Sequence, residues 1–411
     1  MNHRNAVIGF LILAAGILLG TYFFPSIRGF VSGVAPLAAP ILPLPESGSP
    51  LPFTLPQGFA AYLFAKDLPG ARVLARDPRG TLVVSLSGEG RIVALPDTNN
   101  DGVADTAITI LEKLDEPHGM VFRCDPLRPT DSLGDDCVLF VAEKTAVRSY
   151  AYDAQTYSAR LIEKLTDLPG GGGHSTRSLL LHPDGRHLLV AIGSSCNVCR
   201  ESDPRRAAML SIDLETKKVT TFATGLRNTV FLALSPLDGQ IWGADMGRDL
   251  LGDELPPDEI NLIKEGGTYG WPNCYGKNVH DADFDKNTYI RNPCMEPLEK
   301  ASLIDIPAHS APLGLAFIPE EGWPEAYRLD LLIAYHGSWN RSIPTGYKVV
   351  RVELDSKRVP TGKIKDFMTG FFTDQGKVMG RPVALLAEPG GVLFVSDDRA
   401  GAIYRIQKTT E

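Results

Sequence analysis

The sequence predicts an all-β fold, a six-bladed β-propeller, preceded by an N-terminal membrane-anchor or signal helix. From Gly70 onward one pattern recurs: an apolar pair, a turn containing Pro or Asp with Gly, and a strand of alternating apolar residues. Copies begin at residues 73, 119, 178, 230, 312 and 382, and those at 119 and 312 are weaker. Each copy has about the length of one four-stranded sheet, and no long stretch after the N-terminal segment shows a helical period of apolar residues.

The copies themselves predict how each blade is built. In the stretch from Val73, VLARDPRGTLVVSLSGEGRIVAL, a Pro-x-Gly turn separates two apolar runs. Such turns close tight hairpins, and alternation after them predicts half-buried antiparallel strands. A two-sheet sandwich is the structural alternative, but it would not explain the repeat.

The N-terminal segment is predicted to be a targeting element. Residues 6–24 carry no charge, and this length suffices to span a bilayer. We therefore divide the chain into a transmembrane anchor or signal (1–25), a Pro-rich linker (26–57) and a propeller domain (58–411). An uncleaved anchor is favoured over a cleaved signal, and a buried core helix is a weaker alternative. Either targeting reading places the folded part outside the cytoplasm, tethered in the periplasm or secreted.

Six cysteines form three sequence-local pairs. In an exported chain these predict three disulfides, Cys124–Cys137, Cys196–Cys199 and Cys274–Cys294. Zinc binding or redox activity is an alternative for the CxxC pair, but no second CxxC completes a zinc site. Arg200 follows the motif where a c-type haem attachment has His.

The net charge of -8 and the pI near 5.6 argue against a nucleic-acid binder. Clustered basic residues should therefore have a local anionic partner. Polar residues recur in phase with the repeats, close to the first apolar strand of a copy or at an equivalent strand end. Because propeller loops converge at one end of the central channel, we expect these residues to share one site. They are Arg72, His118, His174, Arg227, His309, His336 and Arg381.

Two motifs suggest chemistry. Four glycines, 170–173, precede His174, so a substrate or planar group could approach the imidazole, which is suited to general-base catalysis. The alternative is a loop ending in a surface histidine.

The segment 225–273 places Arg227 and Asn228 before a strand and a Gly- and Asp-rich loop after it. Carboxylates and carbonyls beside an arginine suit a metal ion and an anionic ligand, whereas an arginine paired with an exposed carboxylate is the alternative.

The segment 225–273 resembles the signature of the soluble-type pyrroloquinoline quinone (PQQ) sugar dehydrogenases, in its GLRN, DEINL and YGWPN motifs. The motif HGSWNR at 336–341 is similar to the L-sorbosone dehydrogenase branch. The resemblance implies oxidation of an aldose or aldehyde sugar by hydride transfer to PQQ. It also implies Ca²⁺ as a second cofactor. No haem motif is present, so an external cytochrome c or quinone would accept the electrons.

The resemblance also implies roles for individual residues. His174 would be the catalytic base, and Arg227 would stabilise the charge that develops on the quinone oxygen. Cofactor contacts would come from Arg72, His118, Arg227, Asn228, His309, His336 and Arg381. Calcium would be held near Gly247, Arg248 and Asp258, mainly through main-chain carbonyls.

The chain departs from the family pattern at three of these places. Gly173 stands where glucose-oxidising members have an acidic residue, so a carboxylate that orients His174 must come from elsewhere or be absent. Arg248 replaces the proline of a Gly-Pro pair, and His336 replaces a lysine. The last two departures shift the expected substrate from glucose toward sorbosone.

Two other functions remain open on the sequence, a calcium-dependent lactonase-type hydrolase and a non-catalytic propeller that binds a sugar or a protein. The segment 97–105 resembles a calcium loop, but Ile108 stands where an EF-hand has Glu. A plain Asn/Asp/Gly turn is favoured there over a second, structural calcium.

Overall fold

The computed structural model describes residues 50–124 and 137–409. The first strand, β1 (Phe59–Ala65), is not part of the first blade; it is the outer strand of the last blade. The first three blades are four-stranded antiparallel sheets. Blade 1 is β2 (Ala71–Arg76), β3 (Leu82–Leu86), β4 (Arg91–Leu95) and β5 (Ile108–Leu111). Blade 2 is β6 (Met120–Cys124), β7 (Cys137–Ala142), β8 (Ala146–Asp153) and β9 (Ser158–Asp167). Blade 3 is β10 (Arg177–Leu181), β11 (His187–Ile192), β12 (Ala208–Asp213) and β13 (Val219–Thr224).

Blade 4 carries an insertion that contains a two-stranded sheet, β17 (Cys274–Tyr275) and β18 (Val279–His280). Its main sheet is β14 (Thr229–Leu234), β15 (Ile241–Asp245), β16 (Asp258–Ile263) and β19 (Ile304–Ile306). Blade 5 is β20 (Pro312–Phe317), β21 (Leu331–Tyr335), β22 (Lys348–Leu354) and β23 (Pro360–Met368). Blade 6 is β24 (Pro382–Glu388), β25 (Val392–Asp397) and β26 (Ala402–Lys408), completed by β1. Short 3₁₀ turns occupy Ser87–Glu89, Pro293–Met295 and Glu325–Tyr327, and the described ranges contain no α-helix.

The six blades close into a ring. The first strands of neighbouring blades contact one another in cyclic order, β2 with β6, β6 with β10, β10 with β14, β14 with β20, β20 with β24 and β24 with β2. Pairing of β1 with β26 joins the N-terminal strand to the last blade, so the ring is sealed by hydrogen bonds between the two ends of the domain. The predicted six-bladed propeller is therefore confirmed.

One detail of the prediction needs correction. The alternating pattern predicted half-buried strands, but β3 and β21 are buried at every residue. The blades stack face to face, so a second strand is covered on both sides by neighbouring blades. An outer strand such as β9 is instead mostly exposed, because it is the outermost strand of its blade.

All three predicted disulfides are present, Cys124–Cys137, Cys196–Cys199 and Cys274–Cys294.

In the segment 97–105, Asp97 accepts hydrogen bonds from the backbone N–H groups of Asp101 and Gly102. Asp105 accepts from the backbone and hydroxyl of Thr98. These are the local bonds of an Asx-type turn, which favour the plain-turn interpretation of this segment.

The predicted anchor and most of the predicted linker, residues 1–49, lie outside the described residues. Within the described ranges, no helix has the length and apolar character needed to cross a bilayer. Residues 50–57, which the prediction placed in the linker, pack against the propeller. Leu51 is buried and donates its N–H to the Ala61 oxygen. The Phe53 ring packs at an angle against the rings of Phe371 and Tyr404.

Candidate functional site

The predicted site residues lie at one end of the propeller. His118, His174, Arg227, His309 and Arg381 each come shortly before the first strand of a blade. Arg72 lies at the start of β2, and His336 follows β21, which runs antiparallel to β20 and so ends at the same side. The shared phase inferred from the repeats therefore corresponds to a shared location.

Ser194 holds the His174 imidazole in one orientation. Nδ1 of His174 lies 2.9 Å from the backbone oxygen of Ser194 and 3.0 Å from its Oγ. A carbonyl oxygen can only accept, so Nδ1 carries the proton and Nε2 keeps its lone pair. Burial, followed by the positive charge of Arg227, lowers the pKa of His174 to about 4. The imidazole is thus neutral at physiological pH, and the Ser194 carbonyl serves the orienting purpose of the acidic residue missing at Gly173.

Gly193 allows the His174 and Asn228 side chains to approach each other. A Cβ at Gly193 would lie 2.6 Å from Oδ1 of Asn228 and 2.6 Å from Cβ of His174. Contacts that short do not occur between real side chains, so only glycine fits between the two residues. Oδ1 of Asn228 is buried and has no hydrogen-bond partner among the residues that the structure describes.

Arg227 is buried and held on several sides. Its Nε donates to the backbone oxygen of Asn197 at 2.9 Å, and Nη2 donates to Oδ1 of Asn197 and to Asp249. Nη1 donates to the backbone oxygen of Met246 at 3.2 Å. One Nη1 hydrogen thus has no acceptor within the described residues. Burial lowers the pKa of Arg227, but three nearby aspartates oppose that effect, so the guanidinium stays charged.

The partners Asn197 and Asp249 are absent from the sequence-based prediction. Asn197 lies inside the Cys196–Cys199 disulfide loop, which follows β11 and reaches toward blade 4. Its amide nitrogen also donates to the backbone oxygen of Asp249, and its Oδ1 accepts the Asp249 N–H. The CxxC disulfide is therefore structural here: it presents Asn197 to Arg227.

Aspartates at strand ends fix the backbone of the site. Asp245, the last residue of β15, accepts the N–H groups of Arg227 and Asn228. Asp397, the last residue of β25, accepts the N–H of Arg381 in the equivalent place of blade 6. Both carboxyls are buried, and burial raises the pKa of each to about 6. An Asp at the end of a blade's second strand, as in GAD and VSD, is the sequence signal that could have identified them.

The three predicted metal residues do not form a carboxylate cluster. Both oxygens of Asp258 accept backbone N–H groups, one from Gly247 at 2.9 Å and one from Ala311 at 2.8 Å. The Arg248 guanidinium points into the blade 4 insertion, where Nε lies 3.0 Å from buried Asp281 as an ion pair without hydrogen-bond alignment. Arg248 therefore does not supply its charge to the site. The carbonyl oxygens of Gly247 and Arg248 accept no hydrogen bond from the described residues and remain the candidate ligands.

His309 joins two loops at the mouth of the site. Its Nε2 lies 2.8 Å from the backbone oxygen of Gly252, and Nδ1 lies 3.3 Å from the amide nitrogen of Asn340. Asn340 also donates to Asp249 at 2.7 Å. Both ring nitrogens of His309 are thus engaged by protein groups, so its position supports a structural function between the 246–257 loop and the HGSWNR segment.

A second basic group lies on blades 1, 5 and 6. Asp398 accepts from Arg72 at 2.8 Å and from Nε2 of His336 at 3.0 Å. Burial raises the pKa of Asp398, but His336, Arg72 and Arg381 together lower it to about 2, so the carboxylate is ionised. Arg381 donates to the backbone oxygens of His336 and Gly337, and it forms no ion pair with a described carboxylate. The group therefore carries excess positive charge.

Buried polar atoms without partners mark where a ligand would bind. Nε2 of His118, Nε of Arg72 and Oδ1 of Asn228 are buried and have no hydrogen-bond partner in the described part of the chain. Burial, followed by the charge of Arg72, lowers the pKa of His118 well below its usual value, so this imidazole is neutral. Buried polar groups are seldom left unpaired, so these three atoms are candidate contacts for a bound group.

Below these residues the central channel is apolar. A cavity of about 770 Å³ is lined by the first strands of the blades, including Val73, Met120, Phe231 and Leu315. The His118 ring packs edge-on against Phe231, with ring centroids 5.5 Å apart. The polar end of the channel is thus separated from the opposite end by an apolar passage.

A buried acid beneath the site gives a testable pH dependence. Burial, then the charge of Asp245, raises the pKa of Glu259 to about 8, above the ordinary 4.5. Folding therefore favours the protonated acid, and this stabilisation, fully present below pH 4.5, is lost as the pH rises through 8. We expect the free energy of unfolding to fall over this range by up to about 1.4 kcal/mol per pH unit for this one group.

The expected result is a smaller fall in Glu259→Gln, because its amide does not titrate and Asn261 can turn to accept from it. Urea unfolding in EDTA at several pH values measures the slope. Exposed Glu265→Gln is the control and should keep the wild-type slope. An unchanged slope in Glu259→Gln would contradict the assignment.

Comparisons with known proteins agree with this architecture. The TrAA12-like family model matches residues 53–409. An uncharacterized protein of Borreliella burgdorferi is 38% identical over 234 residues, which cover 57% of this chain and 60% of that protein. A pyrroloquinoline quinone-dependent sugar dehydrogenase of Hypocrea jecorina is 26% identical over 250 residues, 53% of this chain and 56% of that protein. The chain therefore matches less than two thirds of the length of either relative.

Two solved structures show the same fold. The holo form of the PQQ domain of Coprinopsis cinerea pyranose dehydrogenase has a TM-score of 0.72 at 21% identity, covering 89% of this chain and 98% of that one. The iodide structure of a Trichoderma reesei family AA12 carbohydrate-active enzyme also has a TM-score of 0.72 at 21% identity, covering 89% and 100%. The family match extends over nearly the whole described propeller, so the chain belongs to the TrAA12-like family.

Proposed function

We propose that the protein is a PQQ-dependent oxidoreductase that oxidises an aldose or aldehyde sugar and passes the electrons to an external acceptor. The observation that carries this proposal is the His174 imidazole, neutral and oriented by Ser194, beside the buried cation Arg227. Relatives named as PQQ-dependent sugar and pyranose dehydrogenases support it. A base and a fixed positive charge at one channel mouth are what hydride removal from a sugar carbon requires.

The donor set fits PQQ, which carries three carboxylates on a planar ring system. Arg72 and Arg381 would bind carboxylates, because Arg381 lacks an acidic partner and Nε of Arg72 lacks an acceptor within the described residues. His118 and Asn228 each have a buried polar atom without a hydrogen-bond partner among the described residues. His336 would contribute to cofactor binding indirectly, through its hydrogen bond to Asp398. When bound, PQQ supplies an ortho-quinone that accepts a hydride.

Calcium fits the main-chain carbonyls of Gly247 and Arg248. Ca²⁺ prefers oxygen ligands, and a carbonyl is available whatever the side chain, so the change from proline to arginine leaves the site possible. Asp258 shapes the loop through its bonds to Gly247 and Ala311, and it would add negative charge close to the ion. When bound, Ca²⁺ supplies a Lewis acid and neutralises cofactor carboxylates.

The chain's own residues would act as follows. Nε2 of His174 takes the proton from the C1 hydroxyl or from the aldehyde hydrate, while Nδ1 stays bonded to Ser194. Arg227 has one Nη1 hydrogen without an acceptor among the described residues, and its fixed positive charge would stabilise negative charge that develops in the site. The bonds from Arg227 to Asn197 and Met246 keep the guanidinium in place, so little reorganisation accompanies the reaction.

The finer parts of the proposal concern substrate, acceptor and location. The HGSWNR segment supports a sorbosone-like aldehyde rather than glucose, since His336 stands where glucose-oxidising members have lysine. The acceptor would be a cytochrome c or a quinone. The uncharged segment 6–24 supports a periplasmic protein tethered to the inner membrane, or secreted if the segment is cleaved.

Reconstitution tests the proposal. The purified propeller domain is incubated with PQQ and Ca²⁺, and reduction of a dye is followed with aldoses and with sorbosone. We expect PQQ binding at micromolar concentration and sugar-dependent dye reduction. Absence of PQQ binding would sink the proposal, lactone hydrolysis without PQQ would establish the hydrolase alternative, and sugar binding without turnover would establish the binding-propeller alternative.

The state of His174 can be measured without any cofactor. Because burial and Arg227 hold its pKa at about 4, this histidine should stay neutral where an ordinary histidine becomes protonated. NMR titration of ¹³C-labelled histidine measures the pKa, and the signal lost in His174→Gln identifies the residue. A pKa near 6.5 would show that the imidazole is neither buried nor close to the arginine.

A further inference from the structure

The turn between β10 and β11 carries two histidines and an aspartate in the sequence HPDGRH, 182–187. It lies at the end of blade 3 opposite the candidate site, because β10 begins near His174 and runs away from it. The His182 N–H donates to the His187 oxygen at 2.9 Å, and Gly185, at φ 68°, donates to the His182 oxygen at 2.9 Å. The tight turn thus holds the two imidazoles beside each other, with ring centroids 6.3 Å apart.

Asp184 lies between the two imidazoles in a fixed orientation. Its Oδ1 accepts the N–H groups of Arg186 at 2.8 Å and His187 at 3.0 Å. Its Oδ2 therefore points to the histidines, 3.1 Å from Nδ1 of His182 and 2.6 Å from Nδ1 of His187. The three potential ligand atoms all lie within 4.8 Å of one another.

We propose that His182, Asp184 and His187 bind a divalent transition metal ion of the Zn²⁺ class. Bonds of about 2.0–2.2 Å to nitrogen and oxygen place tetrahedral ligands about 3.3–3.6 Å apart. Oδ2 of Asp184 lies 3.1 Å and 2.6 Å from the two Nδ1 atoms, so the side chains would turn slightly apart to admit the ion. Two imidazoles and one carboxylate select a borderline ion such as Zn²⁺ over Ca²⁺, which prefers oxygen. The bonds from backbone N–H groups to Asp184 act as the supporting hydrogen bonds that orient a metal-binding carboxylate.

The surroundings are suited to a cation. The three side chains are 32%, 39% and 35% exposed, so an ion can enter from solvent without opening the fold. The nearby cation Arg186 is paired with Asp213 at 2.6 Å and with Glu215 at 3.5 Å, so two carboxylates oppose its charge. Water would complete the coordination, as in zinc sites with three protein ligands.

Binding would join the adjoining ends of β10 and β11. The other ends of these strands adjoin His174 and Ser194, so the ion would brace the hairpin that carries the proposed base. An ion that binds only the folded hairpin stabilises it by RT ln(1 + [L]/Kd), so the unfolding temperature rises with the concentration of free ion.

Calorimetric titration of the cofactor-free protein with ZnCl₂, in millimolar Ca²⁺ to fill calcium sites, tests the proposal. We expect one ion per chain with micromolar affinity and a Zn²⁺-dependent rise in melting temperature. His182→Gln and His187→Gln should each weaken binding at least about tenfold, because even the loss of a residue that only supports a ligand costs about 10- to 100-fold. His280→Gln is the matched control, because His280 also contacts a carboxylate, Asp285, but has no second histidine beside it in the described part of the chain.

Melting curves in EDTA establish that each variant is folded. Co²⁺ absorption of the wild-type protein gives a second measurement, since a tetrahedral site produces an intense visible band. The proposal is overturned if wild type shows no one-to-one binding step, if both histidine variants bind as wild type does, or if His280→Gln loses binding equally.

Discussion

Replacing His174 with alanine is expected to lower kcat by about 10²- to 10⁴-fold, the usual contribution of a general base, while PQQ still binds. The reason is geometric. Ser194 binds Nδ1 of His174 and so leaves the Nε2 lone pair free for the substrate. The buried atoms without partners that are proposed to contact PQQ belong to other residues, His118, Arg72 and Asn228. Stopped-flow reduction by sugar measures the chemical step, and quenching of protein fluorescence measures PQQ affinity.

Ser194→Ala is the matched control for this variant. It removes the hydroxyl at 3.0 Å but keeps the backbone oxygen at 2.9 Å that fixes the imidazole tautomer. We therefore expect Ser194→Ala to lose much less activity than His174→Ala. If His174→Ala lost PQQ affinity instead of kcat, His174 would be a cofactor or structural residue, and the base would have to be sought elsewhere.

Replacing Arg227 with alanine is expected to lower kcat by about 10²- to 10³-fold, as is typical when a donor to a developing oxyanion is removed. A loss of stability should accompany it. The change leaves Asn197, Asp249 and the Met246 carbonyl without their donor. These groups are half-buried, so we expect a cost at or below the ~1–3 kcal/mol of fully buried unsatisfied groups. Kinetics and urea unfolding measured on the same sample separate the two effects.

Arg227→Lys is the informative control because it keeps the charge but cannot reproduce the planar fork that bonds Asn197 and Asp249 together. Intermediate kcat with reduced stability is the expected result. Wild-type kcat in Arg227→Ala would show that the buried guanidinium is only a structural bridge between blades 3 and 4.

The Cys196–Cys199 loop illustrates what the sequence could not provide. Its disulfide followed from local spacing, but its function depends on Asn197 meeting Arg227, and the two residues lie on successive blades. The same holds for Asp398, which binds Arg72 across 326 residues of chain. Such partners are chosen by how blades pack, and no local pattern carries that information.

Arg248 shows the opposite difficulty. Its position in the loop placed it among the expected calcium residues, where it replaces the proline of a Gly-Pro pair. In the structure the blade 4 insertion provides buried Asp281, and the ion pair at 3.0 Å turns the guanidinium away from the site. The side chain follows the nearest buried opposite charge, because leaving either charge unpaired in the interior is unfavourable.

The sequence by itself determined the propeller fold, because each blade repeats the same local pattern of a tight turn followed by an apolar strand. It also determined that His174, Arg227 and Arg381 share one end of the channel. Each of them comes just before the first strand of its blade, and these first strands all begin at the same end of the channel. Only the tertiary structure decided that Ser194 orients His174, that Asn197 and Asp249 hold Arg227, and that Arg381 lacks an acidic partner among the described residues. Hydrogen bonds and ion pairs require distances that are correct to within a few tenths of an ångström, and packing of loops within and between blades sets those distances.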